Sequence, residues 1–200
     1  METKNATGGA ALEVAQPTRV RPMPPPGFVL LLAILAIGWA GPLVRFTTAP
    51  ALVVASWRML FSVALIALVL TLRREWGQLA RLGRGEWTLA VASGLLLALH
   101  FWSWIASLGM TTVASSVALV ATQPVFVALF SALFLGENAA RRQWIGIAVA
   151  IGGAVVIGWG DFGGGANVLL GDVLALAGAV FASGYYVIGR RLRRDLGLWV

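Results

Sequence analysis

The sequence predicts an all-α fold, a polytopic transmembrane helix bundle of six spans, and three observations support it. Hydrophobic residues make up 59% of the 200 residues and charged residues 12%, which is about half the charged share of an ordinary soluble domain. The apolar residues form blocks of about 20, the length that a helix needs to cross a hydrocarbon core. The charged residues mostly fall in short clusters between these blocks, as they do in membrane proteins of defined topology.

Residues 1–26 are polar and rich in proline, and we predict that they form a disordered cytoplasmic tail. No polar mature region follows the first apolar block, so we interpret that block as a retained span rather than a signal peptide. Charges or turn residues separate each block from the next. The predicted spans are Gly27–Phe46, Ala51–Leu72, Trp87–Leu108, Ala114–Glu137, Trp144–Gly160 and Asp172–Gly189.

Span 4 contains the most informative stretch of the chain. No charged residue occurs between Ala114 and Gly136, but Thr122, Gln123 and Pro124 lie near the centre of this run. A proline there removes a backbone hydrogen bond and kinks the helix. A glutamine amide cannot face lipid without losing its hydrogen-bond partners. We therefore expect the middle of span 4 to face other helices or a wet cavity.

The Lys and Arg residues predict the orientation of the chain. With the N terminus in the cytoplasm, every Lys and Arg except Arg45 and Arg58 falls in a cytoplasmic segment, and the three outer loops contain neither residue. This distribution satisfies the positive-inside rule. Together with the apolar composition, it predicts a multi-pass protein of the inner membrane.

Spans 5 and 6 carry small residues at every fourth position. Such faces let helix backbones approach closely. They predict tight packing against another helix of this chain or against a partner, and in the second case a homodimer formed through spans 5 and 6. The residues are Gly146, Ala150, Ala154 and Gly158 in span 5 and Gly171, Ala175, Ala179 and Ser183 in span 6.

Several motifs extend from span 4 to the end of the chain. Span 4 has a central Pro124 and ends in Leu135-Gly136-Glu137, and span 5 begins with Gln143-Trp144-Ile145-Gly146 and continues to Gly152-Gly153. Span 2 carries Arg58 early in the helix. Span 6 contributes Gly171, Asp172, Leu174, Tyr185, Arg190 and Arg191. This pattern, over about Gly27–Asp195, resembles the EamA-type transporters of the drug/metabolite transporter superfamily.

The resemblance implies two inverted five-helix repeats, or ten spans in all. Residues 27–160 would form one five-helix repeat, and residues 161–200 would form the start of a second, truncated repeat. Span 6 matches span 1, which lies five spans earlier. Because successive spans alternate in direction and five is odd, the two cross the membrane in opposite directions, as inverted transporter repeats do. Four further spans would follow Val200, so we expect this chain to be an incomplete copy of the ten-span form.

Two charged or titratable side chains lie inside predicted spans. Arg58 lies about two turns from the outer end of span 2, and it is interpreted either as an anion contact or as an arginine that reaches outward to the interface. His100, the only histidine, lies near the middle of span 3. It either relays protons or is a neutral histidine that binds a neighbouring helix, and for a lone histidine we favour the second interpretation.

Aromatic and polar side chains complete the candidate substrate cavity. Five aromatic residues could form its walls by stacking, although interfacial anchoring is the alternative for aromatic residues: Trp39, Trp102, Trp104, Tyr185 and Tyr186. Thr122 and Gln123 could contact substrate or could form hydrogen bonds between helices. The full candidate set, for a cavity among spans 1, 3, 4 and 6, is Trp39, Arg58, His100, Trp102, Thr122, Gln123, Pro124 and Tyr185.

Two acidic residues near span ends receive structural interpretations. We expect Glu137 to pair with Arg141 or to cap the following helix. We expect Asp172 to cap the start of span 6.

The residue types present argue against several other functions. The sequence has no cysteine, no metal-ligand cluster and no nucleophile with a base, so we predict neither an enzyme nor a metal or cofactor site. The basic residues lie at span ends rather than in one patch, which argues against nucleic-acid binding. The resemblance implies a secondary transporter that exports small organic molecules by alternating access. The alternative is a membrane scaffold, or a half-transporter that is active only as an oligomer.

Overall fold

The structure is a computed structural model that describes residues 25–137, 139–161 and 163–193. These residues form helices and connecting turns, and no strand occurs in the described ranges, so the predicted all-α fold is confirmed. A short 3₁₀ helix, Trp76–Arg81, lies between α3 and α4. The α-helices are α1 (Pro26–Gly38), α2 (Ala40–Arg45), α3 (Ala51–Arg73), α4 (Arg84–Leu108), α5 (Val113–Val120), α6 (Gln123–Leu135), α7 (Arg141–Trp159) and α8 (Ala166–Leu192).

The predicted membrane spans correspond to these helices. Five segments within the described ranges are long and apolar enough to cross a membrane: Gly27–Arg45, Ala51–Arg73, Arg84–Leu108, Val113–Leu135 and Ala166–Leu192. The predicted fifth span is α7, a helix of 19 residues. It begins with Arg141 and Arg142, which lower its mean hydropathy. Residues 1–24 of the predicted tail, residues 1–26, lie outside the described residues, and Pro26 already begins α1.

The chain divides into two compact units, Met1–Ala36 and Ile37–Val200. The described part of the first unit consists of most of α1, an apolar helix that begins after Pro25. The second unit contains every other helix. The interruption expected in span 1 falls within this second unit at Trp39, which separates α1 from α2.

The kink predicted at Pro124 is confirmed as a break between α5 and α6. Pro124 lies in the first turn of α6, where its missing N–H costs no helical hydrogen bond. The turn itself lies just before the proline. There the Thr122 N–H donates to the Leu119 carbonyl at 3.2 Å, and the Thr122 hydroxyl donates to the same carbonyl at 2.6 Å. Thr122 therefore satisfies a carbonyl that the break exposes.

Packing of α4 against α8 forms the centre of the second unit. The face of α8 that packs inward consists of small residues and includes Ala175, Ala179 and Ser183, each 0% exposed. The facing part of α4 includes Ser103 and Ser107, also 0% exposed. Small residues allow the close approach that drives helix association in membranes. The small-residue face predicted for span 6 is therefore occupied within the chain.

Contacts between helix ends show that successive spans are antiparallel. The Arg45 guanidinium at the end of α2 donates to the Leu108 carbonyl at the end of α4. The Thr111 hydroxyl, just after α4, lies 3.5 Å from Oδ2 of Asp161, just after α7. We call this the Thr111 end of the bundle. At the opposite end, which we call the Glu137 end, Glu137 follows α6 and pairs with Arg190 near the end of α8.

One prediction about an acidic residue was wrong, and another stays a prediction. The ion pair described for Glu137 is with Arg190, because the antiparallel order brings the ends of α6 and α8 together; its expected pairing with Arg141 or capping of the next helix stays a prediction. Asp172 does not cap α8, because the helix begins six residues earlier. Its N-cap is Gly165, whose φ of +85° lies in the left-handed region that favours glycine. Asp172 thus lies inside the helix, and its Oδ1 is buried with no hydrogen-bond partner among the described residues.

Candidate functional site

A cavity of about 1110 Å³ lies between α6, α7 and α8. The sequence had placed spans 1, 3, 4 and 6 around the candidate cavity, whereas helices of spans 4, 5 and 6 surround this one. Its wall begins at the helix break and ends at the Glu137 end of the bundle. The lining residues are Gln123, Pro124, Val127, Ala128, Ser131, Glu137, Ala139, Ala140, Gln143, Gly146, Ile147, Ala150, Tyr186, Val187, Arg190 and Arg193.

The packing of α7 explains why this space is open. Near the Thr111 end, Ala154 of α7 packs with Leu119 of α5 and Ala175 of α8 in one buried cluster. The first half of α7 contributes Gln143 and Ala150 to the cavity wall instead. The cavity follows α6 from Gln123 to beyond its last residue, which is about 20 Å at 1.5 Å per residue. It thus extends from the middle of span 4 to one end of the bundle.

The deep part of the cavity is mostly apolar but contains polar groups beside the break. Gln123 and Ser131 both line it. The Ser131 hydroxyl is buried and has no hydrogen-bond partner within the described ranges. The Ser183 hydroxyl of α8 lies 3.1 Å from the Gln123 carbonyl at the start of α6 and 2.6 Å from the Ala179 carbonyl of its own helix, so its one hydrogen can bond to either. Few polar groups on an apolar wall are the usual arrangement of a small-molecule site.

The mouth of the cavity is charged. Arg190 Nη1 lies 2.8 Å from Glu137 Oε2, and this pair joins the ends of α6 and α8. The Glu137 side chain is 30% exposed and that of Arg190 is 57% exposed, so water screens the pair and its contribution to stability is small. The Gln143 side chain accepts a hydrogen bond from the Ala140 N–H at 2.6 Å and fixes the start of α7 at the same mouth.

The two adjacent tyrosines of α8 have different environments. Tyr186 lines the cavity, whereas the predicted candidate Tyr185 is not among its lining residues. Their rings touch edge to face, with centroids 5.2 Å apart. Adjacent positions on a helix point about 100° apart, so only one of the two can face the same cavity.

A second group of predicted residues lies between α3 and α4. The Arg58 guanidinium lies over the Phe101 ring, 4.8 Å from its centroid, and over the Trp104 ring at 5.5 Å. Both are cation–π distances. We call these three residues the Arg58 platform. Phe101 and Trp104 are about one turn apart on α4, and both rings contact the Arg58 guanidinium of α3.

His100 binds the neighbouring helix. Its Nδ1–H donates to the Gly178 carbonyl of α8 at 2.9 Å, which leaves Nε2 as the acceptor nitrogen. Its ring stacks on that of Trp104 with an interplanar angle of 4°. A Cβ at position 178 would lie 3.2 Å from Ser103 Oγ, which is a tight contact, and at an ordinary 3.6 Å from His100 Nδ1. The arrangement matches the structural interpretation of His100, and its role in proton transfer stays a prediction.

The remaining candidates are separate from both sites. Trp39 is 63% exposed at the junction of α1 and α2, and Trp102 is 41% exposed on α4. Thr122 is buried in the break, where its hydroxyl binds the Leu119 carbonyl rather than the cavity. Of the eight predicted residues, Gln123 and Pro124 therefore line the large cavity, and Arg58 and His100 surround Trp104.

The family is decided by a sequence profile. The profile of the EamA-like transporter family matches residues 26–159, which is more than half of the chain. The chain belongs to the EamA-like transporter family. It is therefore a multi-pass membrane protein of the drug/metabolite transporter type, as the motifs of spans 2, 4 and 5 predicted.

Two curated proteins are similar to this EamA-like chain. The uncharacterized transporter YvbV of Bacillus subtilis is 31% identical over 167 residues, which cover 80% of this chain and 53% of that protein. A riboflavin transporter of Rhizobium johnstonii is 36% identical over 77 residues, which cover 38% of this chain and 26% of that protein. The chain thus spans about half of the first relative and less of the second. No solved structure matches it.

The large cavity extends beyond the EamA-like profile. The profile ends at Trp159, the last residue of α7, and α8 lies after it. Tyr186 and Arg190 of α8 nevertheless form part of the cavity wall. The candidate set predicted from the sequence left out both of these residues, as well as Phe101 and Trp104 of the Arg58 platform, although Trp104 and Tyr186 had been considered as aromatic wall residues. The aromatic run Phe101–Trp104 beside an intramembrane arginine was the one available signal for the platform.

Proposed function

We propose that the protein is a secondary transporter that exports small organic molecules across the inner membrane by alternating access, coupled to protons. The observation that supports this most directly is the break between α5 and α6, because Gln123 and Pro124, which follow it directly, line the large cavity. Transporter sites characteristically form at discontinuous helices near the middle of the membrane. Membership of the EamA-like family supports the same function. The cavity volume of about 1110 Å³ is ample for a metabolite of moderate size.

A flux assay on the full chain in liposomes tests this function. Riboflavin is the first compound to try, because one relative is named a riboflavin transporter. Tryptophan and tetraphenylphosphonium extend the test to an amino acid and a lipophilic cation. We expect saturable flux of at least one compound that responds to an imposed pH gradient. Folded protein that moves none of them faster than empty liposomes do would contradict transport by this chain.

The proposed orientation gives a labelling prediction. The chain has no cysteine, so a single introduced cysteine reports its own side of the membrane. We expect a membrane-impermeant maleimide to label Ala49→Cys in intact cells, because this exposed residue lies in the first proposed outer loop. Ala80→Cys, which is exposed in the 3₁₀ helix on the proposed cytoplasmic side, should react only after permeabilisation. The opposite pattern would reverse the orientation.

A second candidate function, a half-transporter that is active as a homodimer, is supported by α7. A Cβ at Gly152 or Gly153 would meet no atom within 4 Å, so this helix has small residues with open space beside them away from the cavity wall. The corresponding face of α8 is already packed against α4. If flux appears only in fractions with twice the 21.1 kDa mass of the chain, the dimer is the active form. Flux from the monomer would exclude this function, and a stable dimer without flux would favour a scaffold.

A further inference from the structure

Arg58 has unused hydrogen-bonding capacity inside a membrane span. Its guanidinium carries five N–H donors and stays charged in proteins. Within the described residues its contacts are the rings of Phe101 and Trp104, with neither an ion pair nor a hydrogen bond. The side chain lies two turns after the start of α3, and a charge at that depth is costly unless it is compensated. Ring contacts alone leave its N–H groups without acceptors.

A second donor without an acceptor lies beside it. Trp104 is 9% exposed, and its indole Nε1–H has no hydrogen-bond partner among the described residues. Buried indole N–H groups are normally paired. Two types of donor, one charged and one neutral, thus lack acceptors in the same part of the bundle. The missing group must be an acceptor, and beside a guanidinium it is best an anionic one.

The surroundings indicate the size and character of such a ligand. A crevice of about 520 Å³ opens at the Thr111 end and is lined mainly by apolar residues, including Ala51 of α3 and Ile105 of α4. Ala55 lies one turn deeper on α3, and Trp104 directly precedes Ile105 on α4; both are buried. Arg58 follows on α3, two turns after Ala51. The approach to the platform is therefore apolar, which favours an anion with an apolar body.

We propose that Arg58 and Trp104 form a binding site for an oxyanion, with Arg58 as the charged donor and the Trp104 indole N–H as a neutral one. This site rests on the transport function proposed above, and it gives the substrate class. The substrates would be organic acids whose carboxylate binds at the Arg58 platform. The same donors suit the phosphate of an anionic lipid headgroup. Because buried Ala55 and Trp104 lie between the crevice and Arg58, entry of the anion requires α3 and α4 to separate locally.

Binding measurements on the full chain in zwitterionic nanodiscs test this site. Benzoate and benzamide have the same size but differ in charge. We expect benzoate to bind about tenfold more tightly than benzamide, because a hydrogen bond to a charged group is stronger than one between neutral groups. Arg58→Gln should remove this preference, and Arg58→Lys should keep part of it. Arg81→Gln, which removes an exposed charge from the 3₁₀ helix, is the control and should bind benzoate normally.

A pair of tryptophan variants isolates the indole donor. Trp104→Phe keeps an aromatic ring under Arg58 but removes Nε1–H, and we expect about threefold to tenfold weaker benzoate binding. Trp102→Phe makes the same change two residues away on an exposed side chain and should have no effect. Equal binding in the two variants would show that Trp104 Nε1–H is not a ligand. Circular dichroism and gel filtration should confirm that each variant is folded.

Lipid addition distinguishes the two sources of the oxyanion. If phosphatidylglycerol raises the thermal midpoint of the protein through Arg58 while benzoate does not bind, the site holds a lipid phosphate and the proposed substrate class is wrong. If neither anion depends on Arg58, there is no oxyanion site. That result would leave the proposed transport function untouched, because the protein could transport a solute that is not an anion. Conversely, Arg58-dependent benzoate binding without any flux would retain the site and refute the transport function.

Discussion

Replacing Gly171 with alanine is expected to destabilise the protein, although alanine normally favours a helix over glycine by about 1 kcal/mol. Gly171 is buried where α8 passes the segment after α4. A Cβ there would lie 2.9 Å from both Met110 Cβ and the Thr111 backbone nitrogen. Backbone cannot rotate away as a side chain can, so the two segments must separate. Overpacking of this kind costs about 1–3 kcal/mol.

The effect should grow steeply with side-chain size. Gly171→Leu should prevent α8 from packing near the Thr111 end, and we expect loss of the monodisperse protein. The thermal midpoint in detergent, followed by fluorescence-detected gel filtration, measures both variants. Gly152→Ala and Gly152→Leu are matched controls, because a Cβ at Gly152 of α7 has open space within 4 Å. If the variants at position 171 are as stable as those at 152, α8 does not approach Thr111 this closely.

Tyr186→Ala is expected to lower the transport rate about tenfold, whereas Tyr185→Ala should leave it within a factor of two. Tyr186 lines the large cavity and Tyr185 does not. An aromatic contact with substrate contributes about 0.5–1.5 kcal/mol beyond its buried area, and 1.4 kcal/mol corresponds to tenfold. The measurement is initial flux in liposomes for whichever compound the wild-type chain moves, normalised to the amount of inserted protein.

This pair of variants contains its own control. Each substitution removes one ring of the same edge-to-face contact, so the loss of that contact affects both variants equally. Any difference in flux then reports the cavity wall. A larger loss of flux in Tyr185→Ala would show that substrate passes on the other side of α8, and the cavity between α6, α7 and α8 would not be the transport path.

Local chemistry made part of this structure predictable. Pro124 lacks an N–H, so a break in span 4 follows from one residue and its neighbours. The ends of α3 follow in the same way from apolar length and the arginines at its exit. The start of α8 was less visible. The Gly163–Gly165 run and Asp172 together indicated a late start, but Gly165 in a left-handed conformation already begins the helix.

Partners distant in sequence were not predictable. Glu137 pairs with Arg190, 53 positions away, although Arg141 is much closer along the chain. The partner of His100 is the carbonyl of Gly178, and every residue carries such an acceptor, so no side chain marked it. Which tyrosine faces the cavity depends on the rotation of α8 about its axis. Sequence periodicity indicates the packed face, but it does not identify the helix that covers it.

Ser183 has a consequence for how α6 and α8 can part. Its single hydroxyl hydrogen has two acceptors within reach, the Gln123 carbonyl at 3.1 Å and the Ala179 carbonyl of its own helix at 2.6 Å. When the helices move apart, the hydrogen can stay on Ala179, so separation leaves no donor stranded in hydrocarbon. The Ser183 hydroxyl can therefore bond to α6 when the two helices are close. When they separate, it keeps an acceptor in its own helix, so separation does not carry the cost of an unpaired hydroxyl.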